Sequence, residues 1–347
     1  MATKGNDSNI RPGREPPAPH SPGARPRAGR RRRMLLAAVL GATALAAMSA
    51  LAAVGAFNGN AAALTNCAGT PSSCGYPDAS NTGVPGGNGT ALKSVPGQVS
   101  SGKGWFYNAA GGDVFVTGNG AVLSGLYIPH ELVIKASNVT VKDVQVAASG
   151  DFGIKLAHAN GVTIENSAIS GQNATTGRVG SAIDDPYGDS TGVVIKDNNI
   201  FNFKTAIQIS TGLVDGNYIH DPGYINGDHT NGFYVNGGTK PLTIENNTVF
   251  DGLNQTDAIN LDAGSSGVPV ANKTIENNLL AGGAYTIYGG SALSNPTSNI
   301  VITGNRFGQQ FHLSSGQYGP VAYFTPTGTG NVWSGNFWDT TGQTVAS

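Results

Sequence analysis

Thr243-Ile244-Glu245-Asn246-Asn247-Thr248-Val249 is the clearest copy of a short pattern that recurs down the chain. With Ile244 as position zero, +2 is a turn residue, +3 is asparagine and +5 is apolar again. The same frame fits with zero at Leu123, Val141, Ile164, Ile195, Val214, Ile244, Ile275, Ile302 and Trp333. Position +2 then holds Gly125, Asp143, Asn166, Asp197, Gly216, Asn246, Asn277, Gly304 and Gly335, all residue types that tolerate a left-handed backbone. Six consecutive copies carry asparagine at +3: Asn198, Asn217, Asn247, Asn278, Asn305 and Asn336. At +5 stand Ile128, Val146, Ile169, Ile200, Ile219, Val249, Leu280, Phe307 and Trp338.

Successive zero positions are 18, 23, 31, 19, 30, 31, 27 and 31 residues apart. A constant inner pattern with variable outer lengths describes stacked turns whose loops point outward. The pattern itself is a strand that bends sharply and continues. Stacking sets like residues about 4.8 Å apart, so the asparagine amides can bond from coil to coil. A β-sandwich with Asn-Gly hairpins has no reason to place asparagine at one offset six times running. The predicted fold is all-β, a right-handed parallel β-helix solenoid of about nine coils with an inward asparagine ladder. This pattern resembles the pectate-lyase-like superfamily over residues ~100 to 340.

Four segments are expected. Residues 1–63 are a basic region and export signal: Arg30-Arg31-Arg32-Arg33 precedes an Ala- and Leu-rich stretch from Met34 to Phe57, and Ala61-Ala62-Ala63 offers a small-residue cleavage site. Arg31-Arg32-Arg33-Met34-Leu35 is compatible with twin-arginine as well as general export. The alternative is an uncleaved anchor over residues 34–57, which would be the only contact with a membrane. Residues 64–104 form an N-terminal segment and cap, 105–340 the β-helix, and 341–347 a tail. Cys67 and Cys74, the only cysteines, read as a small-loop disulfide in an exported protein.

Charge excludes one class of partner. Of 20 basic and 21 acidic residues the first 63 hold nine and two, leaving 11 and 19 and a net charge of −8. A nucleic-acid binder would need a basic face. The protein is expected to act as a monomer.

A second strand precedes most zero positions, as in Gly153-Ile154-Lys155, Ala182-Ile183-Asp184, Ala206-Ile207-Gln208, Gly232-Phe233-Tyr234, Ala258-Ile259-Asn260 and Thr286-Ile287-Tyr288. Alternation turns the apolar middle residue inward and the next outward. Lys135, Lys155, Asp184, Gln208, Tyr234, Asn260 and Tyr288 then form an outward ladder, and the small residue before each apolar one is expected to keep that face open. This is the floor of a groove for an extended polysaccharide or oligosaccharide, with Lys155, Gln208, Tyr234, Asp257, Asn260 and Tyr288 as substrate-binding residues. Loops over 170–182 and 220–232 are long and Phe201 to Ala206 is short, which makes a cleft. One wall brings Arg178 and leads to Asp184 and Asp185; the other brings His220, Asp221, Asp228 and His229. The floor carries Lys204.

Each residue also has a structural reading. Asp184 can pair with Lys155, Asp185 can cap a turn, and Asp221-Pro222-Gly223 is a turn signal. The resemblance implies carbohydrate chemistry on this face, foremost a polysaccharide lyase that acts on a uronate glycan by β-elimination. Lys204, Arg178 or His229 would be the base. Asp184, Asp185 and Asp228 would hold Ca2+, the one cofactor the resemblance offers. A glycoside hydrolase would instead use carboxylates from Asp184, Asp185, Asp257 and Asp262. A non-catalytic glycan-binding or cell-surface protein is the third reading. The chain departs from both enzyme patterns. It lacks an Arg-x-Pro-x-x-Arg segment, Arg178 and Arg306 being the only arginines past residue 63, and Asp184-Asp185 is followed by Pro186 rather than cysteine.

Overall fold

The computed structural model describes residues 66–87, 90–172, 178–235, 237–261, 268–290 and 297–347. The proposed export signal, the mid-part of the 170–182 loop and Asp262 lie outside them. The described chain is built almost wholly of short strands in three sheets, of ten, eleven and nine strands.

The nine-stranded sheet contains every position zero, stacked in register from Leu123↔Val141 through Val214↔Ile244 to Ile302↔Trp333. The +5 residues stack the same way in the ten-stranded sheet, from Ile128↔Val146 to Phe307↔Trp338. Between the two sheets the backbone turns at +2, and all nine residues there are left-handed, from φ 48° at Asn166 to φ 67° at Gly216 and Gly304. Glycine, asparagine and aspartate populate this region at least cost, which explains why nothing else occurs there.

The corner is then closed by the +3 asparagines. The Nδ2 of Asn198 donates to Asn217 Oδ1 at 2.9 Å, and the chain of bonds continues through Asn247, Asn278 and Asn305 to Asn336. The same Oδ1 also accepts from the backbone N–H of the preceding asparagine, as Asn247 Oδ1 does from Asn217 N at 2.9 Å. Each Nδ2 reaches a zero-position carbonyl as well, for example Asn247 to Val214 O at 3.0 Å. All six asparagines are fully buried. At the N-terminal end Ser167 N donates to Asn198 Oδ1, so the ladder begins on a serine coil.

One apolar core runs through the solenoid, from Val95, Trp105 and Val114 to Ile302, Phe307 and Val345. Its ends are covered differently. Trp105–Asn108 pairs antiparallel with Asp113–Val116 over the first coil. At the far end Val345 is buried, with its N–H on Asn336 O and its carbonyl accepting from Trp333 Nε1. Covering strand edges in this way blocks end-to-end pairing.

Cys67 and Cys74 are joined. The segment that carries them runs along the ten-stranded sheet. Cys67 N and Ala68 N donate to the two carboxylate oxygens of buried Asp339, on the last coil. Gly83 N reaches Asp197 O in mid-stack, and Lys93–Ser94 pairs with Leu126 and Tyr127 on the first. The segment is thus a strap along the stack as well as part of the first-coil cover.

Replacing Asn247 by Leu strands the buried backbone N–H of Asn217, which donates to its Oδ1, while Asn217 Nδ2 keeps Ile195 O and Asp215 O. The expected cost is about 1–3 kcal/mol for each buried group left unpaired. Thermal unfolding measures it, and an unchanged midpoint would contradict the role of the ladder.

Candidate functional site

The eleven-stranded sheet holds the expected floor. Lys155↔Asp184↔Gln208↔Tyr234↔Asn260↔Tyr288 are register partners on six successive strands. Lys135 does not join them. Lys155 stands opposite Val133, so Lys135 is displaced by two residues along the neighbouring strand. The reason expected for the small residues is also corrected. A Cβ on Gly153 would come 2.6 Å from Ala182 O and 3.1 Å from Ile169 Cγ2; on Gly232, 2.5 Å from Ala258 O and 2.4 Å from Val249 Cγ1. Ile169 and Val249 are core residues of the adjoining sheet. These positions are small because the inside of a bend is full, not to clear the outer face.

The first half of the floor is cationic. Between the two long loops Phe201 passes through left-handed Asn202 (φ 66°) straight into the strand Phe203–Gln208, which places Lys204 on the low coil. Asp184 is 3 % exposed, and burial lifts its carboxyl to about 6. The Ser181 bond and the charges of Lys155 and Lys204 oppose that shift, while Asp185 adds to it. Asp184 Oδ1 is buried with no hydrogen bond. Among the described residues Lys204 forms no ion pair.

The neighbouring acids are occupied. Asp185 accepts from Ser190 N and Ser190 Oγ, both at 3.1 Å, and serves the turn that follows it. Arg178 grips Asp228 with two bonds, Nε to Oδ2 at 2.8 Å and Nη2 to Oδ1 at 2.6 Å. Burial works against ionisation of Asp228, but Arg178 and the Ile225 N–H hold it below the usual carboxylate range. That pair ties the two loops together across the low coil, so Arg178 is a structural cation and not a base. Asp184, Asp185 and Asp228 do not assemble as a Ca2+ site, and among the described residues no group of three or more His, Cys, Asp or Glu could hold a metal.

Among the described residues Asp184 and Asp257 do not form a carboxylate pair for hydrolysis. Asp257 aligns through Asn231 and Thr205 with Ser181, three strands from the strand of Asp184. Three strand spacings are about 14 Å, beyond the roughly 5–9.5 Å that glycosidase carboxylates span.

The second half of the floor is aromatic. A cavity of about 420 Å³ is lined by His229, Asn254, Thr256, Asn260, Tyr288 and Tyr323 among others. His229 therefore belongs to this end, while its neighbour Asp228 faces Arg178 and the Lys204 end. Tyr288 lies against Tyr285 and Tyr323; burial, then Asp257 and the surrounding tyrosines, push its phenol up to about 12. Thr256 (φ 52°) and Tyr323 (φ 55°) are both left-handed, a strained state for a β-branched or bulky residue. Sequence reasoning missed Thr256 and Tyr323, because backbone strain leaves no mark in residue order.

His220 is not at the groove. It sits on the ten-stranded sheet, stacked on Phe201 and Tyr218, with ring nitrogens on Asp221 and Asn199.

Residues 106–249 match the model of a family described as a right-handed beta helix region. The chain is a right-handed parallel β-solenoid. No curated protein and no solved structure matches it.

Asp251 ties the cavity walls together. Thr230 Oγ1 donates to its Oδ2 at 2.9 Å and lies 3.1 Å from Gln255 O, and Leu253 N donates to its Oδ1 at 3.1 Å. Burial lifts this carboxyl from 3.8 to about 7. A carboxyl raised in the folded state favours folding while protonated, so its contribution is complete below pH 3.8 and is lost as pH rises through about 7. Asp251→Asn keeps a polar partner for Thr230 without the charge. Its stability relative to the parent should be higher at pH 8 than at pH 5, by on the order of a few kcal/mol. Equal differences in denaturant unfolding at the two pH values would refute this.

Proposed function

We propose that this is a secreted polysaccharide lyase that binds a uronate-containing glycan along the eleven-stranded sheet and cleaves it by β-elimination. The observation that carries the reading is the cationic half of the floor. Lys155 and Lys204 act on the face where Asp184 is held at about 6 by burial, with Asp257 three strands away. In this reading Lys155 faces the uronate carboxylate and neutralises the charge that builds up as the adjacent proton leaves. Lys204, free of an ion pair among the described residues, takes that C5 proton in its neutral amine form and becomes the ammonium. The C4–O bond then breaks, a double bond forms between C4 and C5, and the departing oxygen is protonated from water. Asp184 sets the field around the two lysines.

The resemblance of the repeat pattern, the solenoid itself and the match to the beta helix family support a carbohydrate-active or surface protein. Export is supported by the Cys67–Cys74 bond.

The deciding measurement is incubation of the chain from Leu64 onward with uronate polysaccharides, following both ultraviolet absorbance of unsaturated products and new reducing ends. Unsaturated products support the lyase. Reducing ends alone would indicate a hydrolase, and binding with neither would indicate a glycan-binding protein. Lys204→Ala should lower turnover by about 10²–10⁴ with folding intact.

Asp184 gives a pH test. Below about 6 it is protonated and the lysine charges are unbalanced, so an anionic glycan binds best; above it the carboxylate competes. Affinity for a uronate oligosaccharide should therefore fall as pH rises through 6, and Asp184→Asn should flatten that dependence. A parent profile already flat between pH 5 and 7 would remove Asp184 from the site.

A further inference from the structure

We propose that the cavity at the tyrosine end of the groove is a subsite for a neutral, hydroxyl-rich sugar ring, so that the glycan this protein takes carries uncharged residues beside its uronates. The heteroglycan part of this rests on the groove reading above; the pocket's preference stands on its own atoms.

Asn260 is 4 % exposed and lines the cavity. Its Nδ2 donates to Asp257 Oδ2 at 3.0 Å and lies 3.3 Å from Asn231 Oδ1, so both amide hydrogens are committed. Turning the amide over would set its oxygen against the Asp257 carboxyl, so the orientation is fixed. What remains is Asn260 Oδ1, buried and without a hydrogen bond. Thr256 Oγ1, on the same cavity, is likewise buried and without one. Buried acceptors without donors are costly, and a ligand that supplies donors relieves them.

The electrostatics choose between donors. A carboxylate brings acceptors only and would meet Asn260 Oδ1 with Asp257 behind it. Sugar hydroxyls bring donors without charge. The rings of Tyr288 and Tyr323, 5.3 Å apart and tilted by 46°, offer flat apolar faces to the C–H side of such a ring. Two strained residues, Thr256 and Tyr323, border one cavity, and strain of this kind gathers at ligand sites. From Asp184 to Tyr288 is four strand steps, about 19 Å, within reach of a single bound oligosaccharide.

The test is calorimetric titration of the protein with neutral gluco- and galacto-oligosaccharides, a galacturonate oligomer and a glucosamine oligomer, repeated on Thr256→Gly and Tyr323→Ala. A neutral oligomer is expected to bind. Thr256→Gly should weaken it about tenfold or more, the loss of one buried hydrogen bond, while the thermal midpoint holds or rises because glycine accepts the left-handed backbone. Tyr323→Ala should weaken it too. Neutral binding in a protein that yields no unsaturated product would keep the subsite and discard the lyase. Conversely, elimination activity with no neutral binding, neutral binding indifferent to both variants, or binding of the glucosamine or galacturonate oligomer alone would overturn the subsite.

Discussion

The structure depends on one contact repeated: a buried asparagine amide that must find its partners on the coil above and the coil below. Each amide in the run from Asn198 to Asn336 closes a left-handed corner and takes a backbone N–H and a carbonyl from neighbouring coils. An unpaired amide in that interior is expensive, so a coil cannot slip without breaking several bonds together. The left-handed +2 residue and the apolar +5 residue follow from the same corner. One turns the chain and the other fills the core behind it.

Rigid register on the inside is what gives the outer face its order. Because positions zero and +5 cannot shift, the residue that leaves the third sheet is also held in line, and Lys155, Asp184, Gln208, Tyr234, Asn260 and Tyr288 emerge as a row. The loops carry no such constraint. Their unequal lengths leave the coil of Lys204 low, and the Arg178–Asp228 pair clamps the two long loops across it. Rigidity inside and freedom outside together make a groove with two chemically different halves.

The strap adds a tie along the long axis. Asp339, paired with Arg306, receives the backbone at Cys67 and Ala68 on the last coil, and the same segment reaches the first coil at Lys93. A solenoid in which each coil otherwise touches only its neighbours is thereby connected from end to end.

The sequence by itself determined the coil pattern, the corner chemistry and the register of the groove residues from Lys155 to Tyr288, though not of Lys135, because each rests on a local rule that repeats; the disulfide was legible because the chain has only two cysteines. Alternation and left-handed tolerance act within a few residues and can be read in order. Only the tertiary structure decided which charges meet. Arg178 and Asp228 are 50 residues apart and come together only once two loops stand over one strand. That pairing took both out of the catalytic and metal-ligand sets in which residue type alone had placed them. Lys273 occupies an apolar stack between Leu242 and Ile300, which periodicity would give to a hydrophobe; its ammonium reaches Ser210 O and Lys240 O on other coils. The division of the groove has the same origin. His229 turns to the tyrosines and Asp228 to the arginine, although they are adjacent in the chain, because the partners that hold each lie on different coils.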